Sequence, residues 1–356
     1  MTVARLGSAL FAVLLAATPH APSQAQAQAQ AQPQAQEPPD RAALMQQFVR
    51  PAAIPFPPEN AYDHQKARLG EMLFFDPRLS GSKSISCASC HNPALSWGDG
   101  LPRGIGDGTK TLGRRTPTIL NQAWATGPVM WDGRKTGLED QVFGPVTSPA
   151  EMNGTIDGVV ERINAIDAYR NAFQRVFGAE GVSARTIPLA IATYERTIVS
   201  GKAPFDRWIE GEATAIPAEA KQGFDLFNGK ANCAACHSGW NFTDSGFHDI
   251  GLPDNDIGRG EWVKIESMQH AFKTPTLRDA DRRGPYMHDG SMRSLAEVID
   301  HYDHGGVDRP SRAEEVRSLR LTAEEKRALL AFLATLTAEN PSVTLPVLPN
   351  PSFAAR

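Results

Sequence analysis

All four cysteines of the chain fall into two copies of one pattern, Cys87-Ala88-Ser89-Cys90-His91 and Cys233-Ala234-Ala235-Cys236-His237. Paired cysteines can form disulfides, a redox dithiol or half of a zinc ribbon. A ribbon keeps its pairs about 15–20 residues apart, and these two pairs lie far beyond that. A histidine directly after both pairs, in a chain with nine histidines, is explained by covalent haem attachment. Two thiols add to the two vinyl groups, and the next imidazole comes to lie under the iron as proximal ligand. The expected cofactors are therefore two haem c groups. Cys87 and Cys90 would hold one with His91 on its iron, and Cys233 and Cys236 the other with His237.

Those motifs have to be held by a mostly helical chain. Thr322 opens a Thr-x-x-Glu capping box closed by Glu325, and Leu329, Leu330, Phe332, Leu333 and Leu336 follow at helical spacing before Pro341. That stripe predicts a C-terminal helix buried along one face. Helical patterns also cover 62–75, 156–165, 184–199, 218–227 and 294–301, whereas strand-like alternation is scarce. The Gly- and Pro-rich stretches at 96–113 and 240–260 are too long for ordinary connections, so they are functional or wrap around something. A haem is a large apolar object that can supply core to a small helical domain. With one motif in each half, the expected fold class is mostly α, two cytochrome c-like helical haem domains with long loops. These domains are 41–203 and 204–345, followed by a tail at 346–356, and they share visibly only the haem motif.

The 356 residues carry 36 Lys and Arg against 40 Asp and Glu, a net charge of -4, and 41% are hydrophobic. That is enough for two domains with real cores. The absence of a polybasic stretch argues against nucleic acid as a partner. At the N-terminus, Arg5, an apolar run from Ala9 to Ala17 and the triplet Ala25-Gln26-Ala27 have the form of a secretory signal peptide, assigned to 1–27. The Gln/Ala/Pro-rich stretch at 28–40 is expected to be a disordered leader. No later segment is long and apolar enough to span a membrane, so the mature protein is expected in the periplasm, exported and soluble.

Several further segments carry a resemblance. They are Leu73-Phe74-Phe75-Asp76-Pro77-Arg78-Leu79-Ser80, Arg115-Thr116-Pro117-Thr118, Trp131-Asp132-Gly133-Arg134, Thr274-Pro275-Thr276-Leu277-Arg278 and Gly284-Pro285-Tyr286-Met287-His288-Asp289-Gly290. From about Leu69 to Leu336 the chain resembles the bacterial di-haem cytochrome c peroxidases and the related methylamine-utilisation (MauG) enzymes. The resemblance implies that the haem on His91 reacts with hydrogen peroxide and that the haem on His237 is six-coordinate and handles electrons. It implies that Trp131 relays charge between them, that Glu151 is the acid–base carboxyl beside the peroxide, and that Gln141 is a second polar group there. It also implies a calcium ion between the haems, held by the side chain of Asn121 and the carbonyls of Arg283 and Pro285.

Two departures from the standard peroxidases separate this chain from them. Their peroxidatic haem is capped by a histidine ten residues before the proline of Arg-x-Pro-Thr. Here that position is Asp107, and no histidine lies between His91 and His237. A carboxylate there is expected to be solvated, or paired with Arg103, Arg114 or Arg115, which leaves the iron open unless His64 or His270 reaches it. The second departure lies fourteen residues after His288, where the standard enzymes place a methionine ligand. That position is Tyr302, as in the MauG enzymes, with Met287, Met292, His301 and His304 as the other candidates. A thioether favours the lower oxidation state of iron, whereas an anionic phenolate favours the higher ones.

The main functional expectation is a periplasmic peroxidase that reduces hydrogen peroxide with electrons from a small cytochrome c or cupredoxin. The alternatives are a MauG-like oxidase that modifies a partner protein and a non-enzymatic electron carrier. The MauG enzymes carry a surface tryptophan six residues before the second proximal histidine, and Ala231 stands there in this chain. The two attachment motifs make a direct prediction. A pyridine haemochrome assay is expected to give two haems per chain, and one after Cys87 and Cys90, or Cys233 and Cys236, are replaced by alanine; haem extractable by acid acetone would contradict it.

Overall fold

The computed structural model describes residues 41–340 and 342–350. The segments read as signal peptide and leader, and positions 351–356 of the tail, lie outside them. Among the described residues the helices run in the order α1 (Arg41–Gln46), α2 (His64–Phe74), α3 (Cys87–Cys90), α4 (Leu138–Gln141), α5 (Phe143–Thr147) and α6 (Ile156–Asn164). They continue with α7 (Asp167–Phe177), α8 (Thr186–Arg196), α9 (Pro204–Ile209), α10 (Ala218–Asn228), α11 (Leu295–His304) and α12 (Ala323–Ala334). Among the described residues a two-stranded sheet pairs β1 (Phe247–His248) with β2 (Phe272–Lys273) antiparallel. The fold is mostly helical, as expected. None of the described helices is long and apolar enough to cross a membrane.

Local chemistry sets the helix ends. Asp63 caps α2 by accepting the Lys66 amide at 2.8 Å, which is why the helix starts two residues later than the pattern from 62. Thr322 and Glu325 form the expected capping box at the start of α12. The α11 helix runs three residues beyond its expected end at 301. Gly305, at φ +89°, stops it in the left-handed conformation that glycine adopts without steric cost. The extension puts Tyr302 on helical backbone.

Two large hydrophobic clusters and a small third one form within the body of the fold. Leu69, Leu73, Phe74, Trp97, Leu120, Ile187 and Ile191 belong to the first, and Phe205, Phe224, Phe227, Phe242, Leu329 and Phe332 to the second. Each of the two large clusters centres on a helix pair that touches through a glycine. A Cβ added to Gly70 of α2 would lie 1.9 Å from the Ala190 carbonyl oxygen of α8, and one on Gly223 of α10 would lie 1.9 Å from the Ala328 carbonyl oxygen of α12. The aromatic side chain one turn on, Tyr194 or Phe332, packs over the same contact. The halves thus repeat more than their haem motifs. Both read Gly-x-x-Leu-Phe on one helix, at Gly70–Phe74 and Gly223–Phe227, and Ala-x-x-x-aromatic on the other, at 190–194 and 328–332.

The two long loops lie where the haem motifs need walls. Within 96–113, Ile105 bridges Thr111. The 240–260 loop contributes β1, whose Phe247 and His248 pair with Lys273 and Phe272. The glycine contacts predict a specific sensitivity. Gly223→Ala adds helix propensity worth about 1 kcal/mol, yet its methyl meets backbone rather than a movable side chain. Overpacking of about 1–3 kcal/mol is expected to win, which would lower the denaturant midpoint at unchanged haem content. An unchanged or raised midpoint would show that α10 and α12 can separate freely.

Candidate active site

Each haem motif is a single helical turn. The His91 amide donates to the Cys87 carbonyl and the His237 amide to the Cys233 carbonyl, both at 2.9 Å, which brings the imidazole beneath its own cysteine pair. The His91 Nδ1 lies 3.3 Å from the Trp97 carbonyl oxygen, and the His237 Nδ1 lies 2.9 Å from that of Phe242. A proton on each Nδ1 leaves Nε2 as a lone pair, the form a metal requires. Burial holds both imidazoles below their ordinary pKa, which keeps them neutral. Trp97 and Phe242 both have left-handed backbone, at φ +61° and +52°. Bulky residues seldom adopt that region. The sequence signal was an aromatic five or six residues after each proximal histidine, and reading by motif overlooked it.

Both cysteine pairs and both imidazoles line one cavity of about 720 Å³. Burial first, then neighbouring carboxylates, raises the Cys90 thiol to about 11, and burial raises Cys233 to about 12. Trp131, Gln141, Glu151, Tyr302, Asn121 and Arg283 line the same cavity, and so do segments of both long loops. Pro285 does not. Two buried arginines supply what a haem would ask of the walls. Arg115 and Arg283 are 6% and 7% exposed, and each keeps an Nε without a partner. A guanidinium stays charged and seeks a carboxylate when buried. The two propionates of a haem are such partners, so the residues present fit two haem c groups.

Trp131 is presented by a turn in which Val129 and Lys135 pair. Its Nε1 donates to the Arg115 carbonyl at 2.8 Å, joining it to the Arg-x-Pro-Thr segment. Asp132, next to it and 3% exposed, accepts from Arg114 at 2.6 Å and Arg134 at 2.9 Å. Gly133 has φ +66°, and a Cβ there would lie 2.1 Å from Arg259 Nη1. The Trp-Asp-Gly-Arg motif is thus a clamp that fixes the indole in the cavity wall. Gln141, at the end of α4, donates its Nε2 to the Met130 sulfur at 3.6 Å.

Glu151 faces the first motif, where its carboxylate adds to the rise of the Cys90 thiol. Its carbonyl accepts the Asp107 amide at 2.6 Å. Asp107 is 6% exposed and its partners correct the expectation of solvent or arginine. Ser82 Oγ donates to one carboxylate oxygen and Asn153 Nδ2 to the other at 3.3 Å. Ser82 is also the main reason the carboxyl is held below its ordinary pKa. Bound in this way, Asp107 does not line the cavity, and neither do His64 and His270.

Tyr302 lines the cavity at the second motif. Burial pushes its phenol pKa up, with the thiols of Cys233 and Cys236 adding to the shift. Such a phenol ionises only beside a cation, which haem iron would supply. Of the other candidates, Met287 also lines the cavity, whereas Met292, His301 and His304 do not. The His301 Nε2 is 2.8 Å from the Ile250 carbonyl. The groups named for calcium are already engaged. The Asn121 Oδ1 accepts the Ser200 amide at 2.9 Å, and the Arg283 carbonyl accepts from Arg115. A calcium ion there would compete with a guanidinium. One cluster of His, Cys and carboxylate among the described residues is close enough for a metal, Cys236, Asp244 and His248, and its cysteine belongs to the second haem motif.

Comparison with known proteins gives the family. Residues 64–214 match the family model for di-haem cytochrome c peroxidase and residues 220–337 that for cytochrome c. The methylamine utilization protein MauG of Methylorubrum extorquens is 52% identical over 87% of this chain and 89% of its own length. The chain belongs to the di-haem cytochrome c peroxidase family. It is thereby a haem peroxidase-type oxidoreductase. Within the family, the MauG of Methylophilus methylotrophus is 46% identical over 86% of this chain and 92% of its own. The cytochrome c551 peroxidase of Nitrosomonas europaea is 34% identical over 82% and 85%. A solved MauG-like protein associated with microbial copper homeostasis superposes with a TM-score of 0.75 at 31% identity, covering 82% of this chain and 95% of its own. For a di-haem peroxidase the seating of Asp107 has a testable consequence. Cyanide is expected to bind the as-isolated ferric protein at once, and slow binding that appears only after one-electron reduction would mean that another residue caps the iron.

Proposed function

We propose that this protein uses peroxide to oxidise a partner protein, in the manner of the MauG enzymes, and that it does so in the periplasm. The observation that carries the reading is Tyr302, a half-buried phenol lining the cavity at the second haem motif, where a scavenging peroxidase has methionine. An anionic oxygen ligand favours the higher oxidation states of iron and so favours holding oxidising equivalents for a slow, large substrate. The 52% and 46% identity to proteins named MauG supports the same reading. Relatives named cytochrome c peroxidases, at 34–36% identity, support scavenging with a small cytochrome or cupredoxin as the second reading. Ala231, in the place of the surface tryptophan of the MauG enzymes, is 5% exposed. The partner protein therefore differs in its docking from theirs.

The haem held by Cys87, Cys90 and His91 supplies the iron at which peroxide is reduced. Around it, the Glu151 carboxyl moves a proton from the near to the far peroxide oxygen, and Gln141 offers an amide donor beside it. Trp131 carries the oxidising equivalent between the motifs through an indole whose N–H is already fixed on the Arg115 carbonyl. Tyr302 holds the second site ready to store it.

The test compares two turnovers with hydrogen peroxide, that of reduced cytochrome c or cupredoxin and that of periplasmic proteins with exposed tryptophan or tyrosine. Slow donor turnover with oxidised or cross-linked partner residues is expected. Tyr302→Met is expected to exchange the two preferences. Rapid donor turnover in the parent, unchanged in Tyr302→Met, would make the protein a scavenging peroxidase.

A further inference from the structure

Glu195 on α8 lines the cavity one turn after Ile191. It is 6% exposed and its Oε2 has no hydrogen-bond partner. Among the described residues, the cation whose charge acts on it is Arg196, which is committed elsewhere. On its own helix, Arg196 grips Glu139 of α4 with Nη1 at 2.5 Å and Nη2 at 3.0 Å. From α2, the Lys66 Nζ is held by Asn60 Oδ1 and the Ala61 carbonyl, both at 2.7 Å. From α3, the group that feels Glu195 is Cys87, whose thiol a haem thioether consumes. The neighbouring turn Gln122–Trp124 carries no titratable side chain. Burial, opposed by Arg196 and reinforced by Glu139, raises the Glu195 carboxyl to about 8. Near neutral pH it is therefore mostly a neutral acid, as an unpaired buried carboxyl should be.

Its position is distinct from that of Glu151. Both line the cavity, but the charge of Glu195 acts on the Cys87 thiol of the first haem motif, whereas that of Glu151 acts on the Cys90 thiol.

We propose that Glu195 is the proton-exchange site of the N-terminal haem, giving up its proton when that haem is oxidised and recovering it on reduction. When the haem loses an electron to an oxidant, its charge rises by one. In a low-dielectric cavity that charge stabilises a carboxylate nearby. Glu195 then loses one proton to solvent, so one electron and one proton leave together and the net charge of the cavity is unchanged. This inference rests on the haem held by Cys87, Cys90 and His91, and not on whether the enzyme oxidises a protein or scavenges peroxide.

The test is a spectroelectrochemical titration of the N-terminal haem in the holoprotein between about pH 6 and about pH 9, a range that brackets the carboxyl. The parent midpoint is expected to fall as pH rises, because the reduced form binds the proton more tightly. The limit for one proton per electron is about 59 mV per tenfold change in proton activity. Glu195→Gln, which keeps size and polarity, is expected to flatten most of that slope. Every other acid and base is common to both proteins, so the difference between them isolates Glu195. Redox-difference infrared spectra of the parent should lose a protonated-carboxyl band on oxidation. A flat parent titration, an equal slope in Glu195→Gln, or, should that variant fail to load haem, the absence of the band in the parent would overturn the proposal.

Discussion

The imidazoles of His91 and His237 each spend Nδ1 on a backbone carbonyl, and the site is arranged around what that leaves. The carbonyls belong to Trp97 and Phe242, aromatic residues held in left-handed backbone and anchored in the two large hydrophobic clusters. The same residues that close each cluster therefore also set the direction of the Nε2 that would bind a haem iron. Helix packing and the orientation of the imidazole are coupled through one residue in each half. The left-handed backbone costs energy, and the burial of two large aromatics offsets it.

Between the halves of the cavity, charge is arranged by pairing on one side and by deliberate lack of pairing on the other. Asp132 takes Arg114 and Arg134 and keeps the Trp131 turn rigid. Arg115, Arg283 and Glu195 are buried with atoms that find no protein partner. Buried polar groups are ordinarily satisfied, so these mark where the protein is shaped for a group it does not itself contain. The arginines point to carboxylates, and the carboxyl to a change of charge at the haem.

Much of this was legible in the residues. The haem motifs, the C-terminal capping box and the helices at 156–165, 184–199 and 218–227 follow from short-range patterns that need no tertiary context. Three features were not, each for a physical reason. The glycine contacts at Gly70 and Gly223 depend on which helix lies across them, and a glycine within a helical pattern does not announce a neighbour. The partners of Asp107 come from residues 25 positions before it and 46 after it, and the nearby arginines misdirected the reading. The unpaired state of Glu195 is invisible beside Arg196 in the chain, because only the fold shows that Arg196 is committed to Glu139.

On the proposed function, Tyr302 would complete the second haem as a tyrosinate and turn a peroxidase scaffold toward protein oxidation. Resonance Raman spectroscopy of the ferric holoprotein tests it most directly, with excitation into a phenolate-to-iron charge-transfer band. Tyrosinate ring modes that vanish in Tyr302→Phe, with both haems still covalently bound, are the predicted result. A spectrum without those modes, unchanged by the substitution, would assign the ligand to Met287 or another residue and contradict the account.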